Sequence, residues 1–136
     1  MDPSYLLMPF AAWLVAGSSK FLINCIRARR LAFDLIGYGG LPSNHSAIVG
    51  GMACLIALKQ GIAHPAFGVA LSLAFIVMLD AGSLRRQIGR QAEALNRLAL
   101  DDGCSKLRER MGHSPLELFA GLAVGGATAW ALDYLL

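Results

Sequence analysis

Charge is scarce in this sequence: Asp, Glu, Lys and Arg make up 15% of its 136 residues, where a soluble domain carries about 25%. The charges are also bunched, with long apolar tracts between them, a pattern that excludes an ordinary soluble fold and points to a membrane. Cysteine is sparse too. Cys25, Cys54 and Cys104 are odd in number and far apart, with no zinc or redox spacing. Cys25 and Cys54 lie in or beside apolar tracts and read as packing residues. No carboxylate cluster or His/Cys set offers metal ligands, so metal-independent chemistry with no cofactor is expected. No basic residue precedes the first apolar tract at Tyr5, and a removable secretory signal needs one, so the first helix is expected to be retained. The net charge of +3 is small. Its cations gather at tract ends rather than along a soluble face, which argues against a nucleic-acid partner.

What is present is apolar: 56% of residues are hydrophobic and the mean hydropathy is +0.54. The length suits one domain over residues 1–136. Four tracts approach the ~20 apolar residues that cross a hydrocarbon core. They run from about Tyr5 to Ile26, Ser43 to Leu58, Pro65 to Leu79 and Pro115 to Leu136. Between the third and fourth, Ser83 to Leu100 carries Leu84, Ile88 and Leu95 on one face and Arg86, Arg90, Glu93 and Arg97 around it. That is an amphipathic helix suited to the membrane interface, ended by Asp101-Asp102-Gly103. The expected fold is an all-α integral membrane protein of about four transmembrane helices plus one interfacial amphipathic helix.

Four spans put the first and third connections on one side. With Lys20 assigned there, that side holds eleven of the twelve Lys and Arg residues, and only Lys59 lies opposite. The positive-inside rule then makes it the cytoplasmic side.

Four clusters at helix ends on that side carry chemistry, each with an ordinary explanation beside a chemical one. Lys20, Asn24 and Arg27 share one stripe of the first helix, by their spacings of four and three. Snorkelling at the interface explains Arg29 and Arg30 about as well as phosphate binding does. Lys20 is inside an apolar span, where an ionisable group is costly and functional by default. The second cluster is Gly39 to Ser46. A glycine loop with Ser43 or Asn44 as N-cap accounts for it. So does an anion site, with free N–H groups and the helix dipole facing a phosphate beside His45. In the third, Arg85 and Arg86 end a span, a common interfacial feature, but guanidinium also grips phosphate oxygens, and Asp80 can orient it. In the fourth, Ser114-Pro115-Leu116-Glu117 reads as a capping box with proline at the first helical position. That leaves His113 unexplained. The chemical reading makes His113 a nucleophile and Glu117 the carboxylate that fixes its tautomer.

In this order, Lys20, Pro42-Ser43-Asn44-His45-Ser46, Asp80 to Arg86 and Gly112-His113-Ser114-Pro115-Leu116-Glu117 resemble the type 2 phosphatidic acid phosphatase superfamily, which includes the vanadium haloperoxidases. The chain is most similar to its divergent, compact bacterial and plastid branch, over about Trp13 to Gly126. The departures are specific. Asn44 stands where better-known members carry glycine, and Glu117 where they carry aspartate. Their arginine six residues before the nucleophilic histidine has no counterpart here, since Arg85 and Arg86 lie further upstream. Lys20 and Arg27 keep the superfamily's six-residue gap, but Ala28 replaces its proline. The divergent branch tends to place its basic pair at the positions of Arg29 and Arg30.

The resemblance implies a membrane phosphatase acting on a lipid phosphate: a phosphatidate, phosphatidylglycerol phosphate or polyprenyl phosphate. His113 would attack phosphorus and form a phosphohistidine. His45 would protonate the leaving oxygen and then activate water. Lys20, Arg85 or Arg86, and the backbone at Ser43 and Asn44 would hold the phosphate, supported by Asp80, Arg29 and Arg30. Glu117 would hold the far nitrogen of His113, and His64 would be a bystander on the opposite face. A bacterial inner membrane is the expected location. The alternative is a non-catalytic lipid-phosphate binder, carrier or assembly protein that keeps the anion site. Gly121-x-x-x-Gly125 and Gly126 would let helices pack closely, within one chain or in a homo-oligomer.

Overall fold

The computed structural model describes residues 2–31, 33, 40–98 and 105–136. Cys104, the Asp101-Asp102-Gly103 stop and most of the glycine loop before Gly40 lie outside them. The described chain is all helical. Helix α1 spans Ser4–Ala28, α2 Asn44–Gln60, α3 Pro65–Leu79, α4 Arg85–Leu98 and α5 Pro115–Leu135.

Local sequence sets most of the boundaries. Ser43 caps α2, accepting the Ser46 N–H, and Gly61 ends that helix at a positive φ of 83°. His64 caps α3 through its Nδ1, which accepts the Ala66 N–H at 3.2 Å, with Pro65 at the first helical position. That gives His64 a structural task away from the phosphate-binding candidates. Ser114, Pro115 and Glu117 form a complete capping box at the start of α5.

One boundary differs from the sequence expectation. Asp80-Ala81-Gly82-Ser83 reads as a break, but the chain passes through it as a five-residue π turn, Asp80–Leu84, that joins α3 to α4. The result is one continuous helix from Pro65 to Leu98, 34 residues long. At ~1.5 Å per residue it is about 50 Å long, well beyond a hydrocarbon core of ~30 Å. The amphipathic segment is thus an extension of the third span.

Among the described residues, three helices are long and apolar enough to cross a membrane: Ser4–Ala28, Pro65–Leu98 and Pro115–Leu135. Helix α2, with 17 residues, is shorter, and α1, α3 and α5 all pack against it. The core is built from small residues. Ala12, Ala16, Ala47 and Ala129 are fully buried, with Met8 and Leu55 the largest side chains among them. Large apolar groups point outward instead: Trp13, Phe75, Ile76 and Trp130 are each more than half exposed. A soluble protein inverts this pattern. In lipid, outward apolar groups cost nothing, and small inward residues let backbones approach and gain dispersion contacts.

The closest approach is between α2 and α5. A Cβ on Gly121 would collide with the Ser43 carbonyl and come within 2.8 Å of the Ser46 Cβ. One on Gly125 would collide with the Ala47 carbonyl. The Gly121-x-x-x-Gly125 face is therefore used inside the chain. Gly126 has open space around it.

The helices alternate in direction, so α1 and α3 end where α2 and α5 begin. At the other end, Lys59 pairs with Asp2 at 2.8 Å and Asp133 at 3.4 Å, and Gln60 donates to the Tyr5 hydroxyl at 2.8 Å. This joins the ends of α2 and α5 to the start of α1.

Candidate active site

The end opposite that clasp carries the chemistry. His45, the second residue of α2, and His113, two residues before α5, stand edge to face with ring centroids 5.6 Å apart. The helices that carry them are joined directly, because the Ser43 N–H donates to the Glu117 carbonyl at 2.9 Å. Two motifs far apart in the chain are thereby locked in register.

His113 is held by its backbone. Its N–H donates to the Ala81 carbonyl at 2.9 Å, a carbonyl in the π turn, where the wider coil departs from regular α-helical pairing. Its own carbonyl accepts from the Arg86 guanidinium at 2.8 Å. The preceding Gly112 has φ 88°, and a Cβ there would stand 2.9 Å from the Arg86 nitrogen, so glycine is required both by conformation and by space.

The imidazole of His113 is 7% exposed, and among the described residues neither of its ring nitrogens has a partner. His45 Nδ1 and Asn44 Oδ1 are likewise buried and unpartnered. Four orphaned polar atoms at one place are unusual, because buried polar groups are almost always satisfied. They are the expected signature of a site that completes its hydrogen bonds with a ligand or water.

Positive charge surrounds them. Lys20 and Arg85 both act on His113 and on His45. Arg85 donates from Nε to Asp80 at 3.0 Å, so Asp80 orients it. Burial and then the Lys20 charge push the His113 imidazole below its ordinary value, against the opposing pull of Glu117. The neutral form, with a free lone pair, is thereby favoured.

Several residues singled out from sequence sit differently from expectation. The Glu117 carboxylate accepts the Ser114 N–H at 2.9 Å, while its own N–H donates to Ser114 Oγ at 3.3 Å. It makes no hydrogen bond to His113, so it reaches the imidazole only through its charge. Ser43 is fully buried. Its N–H goes to Glu117, and its hydroxyl accepts from the Ser46 N–H and hydroxyl. It builds the site wall and has no N–H to offer a phosphate. Ser46 and Ala47 donate back to Ser43, which leaves the N–H groups of Asn44 and His45 as the open donors at the head of α2. Arg86 spends one terminal nitrogen on the His113 carbonyl. Arg29 is an exposed C-cap of α1 in the left-handed conformation, φ 52°, and Arg30 follows it, also exposed.

A sequence profile of the Divergent PAP2 family matches residues 1–128. This chain belongs to that family. It is also 33% identical to YuiD, an uncharacterized membrane protein of Bacillus subtilis strain 168, over 95% of this chain and 93% of that protein. No solved structure matches it.

Sequence reading of this divergent PAP2 protein missed the contributors that act through backbone. The Ala81 carbonyl has no side-chain signature. A Cβ on Gly89 would collide with the Glu109 carbonyl, so that glycine lets the segment before His113 lie against α4. Asn96 was unmarked as well. It grips the same segment, accepting the Leu107 N–H at 2.8 Å and donating to the Leu107 carbonyl and to Glu109 Oε1, each at 2.8 Å.

Proposed function

We propose that this protein is a lipid-phosphate phosphatase of the membrane that works through a phosphohistidine on His113. One observation carries the reading: buried His113, with neither ring nitrogen partnered, stands edge to face with partly buried His45, whose Nδ1 is also unpartnered, within reach of the charges of Lys20 and Arg85. A cationic pocket alone would suit a binder. A neutral, desolvated imidazole beside a second one supplies what phosphoryl transfer also needs, a nucleophile and a proton carrier.

In the first half-reaction a lone pair of a His113 ring nitrogen forms a bond to phosphorus, and the ester P–O bond breaks. The departing oxygen takes a proton from His45. In the second half, His45 takes a proton from water as the water oxygen attacks phosphorus. The P–N bond breaks, and inorganic phosphate leaves. Lys20, Arg85 and the N–H groups of Asn44 and His45 stabilise the charge on the equatorial oxygens throughout. Asp80 supports Arg85. Glu117 steadies the cationic form of His113 by its charge, and Arg86 fixes the imidazole through its backbone. Arg29 and Arg30, exposed at the end of α1, are suited to a lipid headgroup.

The substrate class follows from placement. The two histidines stand at the ends of apolar helices, a placement that suits a phosphate at the interface whose tail stays in lipid. Phosphatidate, phosphatidylglycerol phosphate and polyprenyl phosphate all meet that requirement. The strong bias of cations to this end supports a cytoplasmic active face in a bacterial inner membrane.

The test is phosphate release from those three lipids by purified protein in detergent, with and without chelator. Release that survives chelator, is inhibited by vanadate and is lost in His113→Ala supports the reading. Full activity in His113→Ala overturns the nucleophile assignment. Saturable binding of a lipid phosphate without release would favour a carrier or assembly protein instead.

A further inference from the structure

The segment that delivers His113 to the site lies along one face of the helix before it. From Leu107 to His113 its contacts climb that helix in order. Leu107 is gripped by Asn96 through both its N–H and its carbonyl. Glu109 meets Asn96 through its carboxylate and Gly89 through its carbonyl. Gly112 packs on Arg86, and His113 is bonded at its N–H by Ala81 and at its carbonyl by Arg86. Residues 89 and 96 are seven apart, two turns of helix, so they share one face. Residue 86 lies less than one turn before 89 on the adjoining flank.

Near His113 the track consists of the Ala81 carbonyl, the Arg86 guanidinium and the close fit of Gly112 and Gly89. At its far end a side chain makes the hold. The Asn96 amide pairs with Leu107 much as a neighbouring strand would, with one acceptor and one donor to a single residue. It also takes the Glu109 carboxylate on the same nitrogen.

We propose that Asn96 is a positioning residue for His113: it clamps the 107–113 segment to α4 and so sets where the imidazole stands relative to His45. The inference rests on the phosphatase reading for its catalytic consequence, though not for its structural one. Asn96 touches neither histidine and needs no contact with substrate. It acts by removing freedom from the segment at one end while Ala81 and Arg86 fix the other. Reactive groups must be held within a fraction of an ångström, and small misplacements from remote changes cost up to ~100-fold in rate.

The test uses the full-length protein in detergent and a charge-specific rescue. Asn96→Asp keeps an acceptor for the Leu107 N–H, loses the donor to its carbonyl and sets a second carboxylate against Glu109. Adding Glu109→Gln removes that repulsion and returns an amide donor. Three readouts apply: hydrogen exchange of the 105–113 peptide, the rate of His113 modification by diethyl pyrocarbonate, and phosphate release from phosphatidate. Asn96→Asp is expected to speed exchange in 107–113 by ~10-fold while α2 and α5 stay protected, and to change the His113 modification rate by at least ~3-fold. Turnover should fall ~10-fold in kcat with KM within ~2-fold, a discounted figure because the clamp is solvent-accessible. The double variant should recover most of each change. Unchanged exchange, faster exchange with unchanged His113 modification, or a double variant no better than the single would each overturn the proposal. If wild-type protein releases no phosphate from any lipid, the phosphatase reading falls. The exchange and modification arms then decide by themselves whether Asn96 positions His113.

Discussion

Glu117 is where the capping and catalytic readings meet on one carboxylate. Its oxygen is committed to the Ser114 N–H, and glutamine can take the same bond. What glutamine cannot supply is the negative charge that acts on His113. Glu117→Gln should therefore keep its thermal midpoint within a few degrees and lose about tenfold in turnover, less than the ~10⁴-fold lost when an orienting carboxylate hydrogen-bonded to its histidine becomes an amide. Ser114→Ala should do the reverse, losing ~1 kcal/mol of stability with little kinetic change. Paired thermal melts and steady-state rates distinguish the two. Normal turnover in Glu117→Gln would reduce the residue to a cap.

His113 carries a second expectation. Its imidazole is pushed below the ordinary value by burial and by Lys20, so the folded protein resists protonating it. As pH falls, the unfolded chain takes up that proton first. The stability contributed by neutral His113 is complete above ~6.5 and is lost progressively below it. The same shift keeps the nucleophile active in mild acid, so the acid limb of kcat/KM should have its midpoint below ~6.5. A pH–rate profile checks this, and a limb at or above that value would separate the nucleophile from His113.

At the scale of elements, the α2–α5 contact dominates. Gly121 and Gly125 bring backbone to backbone there, and overpacking such a site costs ~1–3 kcal/mol. Gly125→Ala should lower the thermal midpoint by several degrees. It should also disturb the proposed catalysis, because that helix pair sets His45 beside the segment that ends in His113. Gly126→Ala, with open space around the glycine, should be neutral and serves as the control. If the two variants melt alike, the packing argument fails.

The five helices were legible because apolar tracts, caps and prolines mark them: Ser43, Pro65 and Pro115 stand within a residue of the observed starts. The junction at Asp80–Leu84 was not. A π turn is a one-residue insertion in the coil and leaves no mark in composition, and Gly82 and Ser83 suggest a stop just as strongly. The candidate site was legible in its side chains, since His45, His113, Lys20 and Arg85 stand out against an apolar background. It was illegible where backbone does the holding, as with Ala81. For Ser43 the N-cap was legible, but its backbone task follows from which donor meets the Glu117 carbonyl, and spacing along the chain cannot reveal that.

For the whole molecule, the two ends are chemically opposite. One gathers eleven of the twelve cations by the sequence count. The other has Lys59, set between Asp2 and Asp133. With Cys25, Cys54 and Cys104 replaced by alanine, Ser105→Cys should resist a membrane-impermeant thiol reagent in intact bacterial cells and react after lysis, while Gln60→Cys should react in intact cells. Ready labelling at residue 105 in intact cells would move the proposed chemistry to the outer face. Lys59→Met should lower the thermal midpoint and leave kcat unchanged, since it opens only the clasp far from the histidines. Melting curves beside rate measurements would show whether the ends are separable.

The hydrogen bond from Ser43 to the Glu117 carbonyl has a consequence for biogenesis. The ribosome makes Lys20, His45 and Arg85 well before His113 and the helix that seats it. Until α5 leaves the translocon and docks, the Ser43 N–H has no Glu117 carbonyl to meet, and His45 stands without His113 beside it. On the phosphatase reading, a chain cut before α5 should release no phosphate from the membrane it is entering, and activity should first arise when the last helix docks.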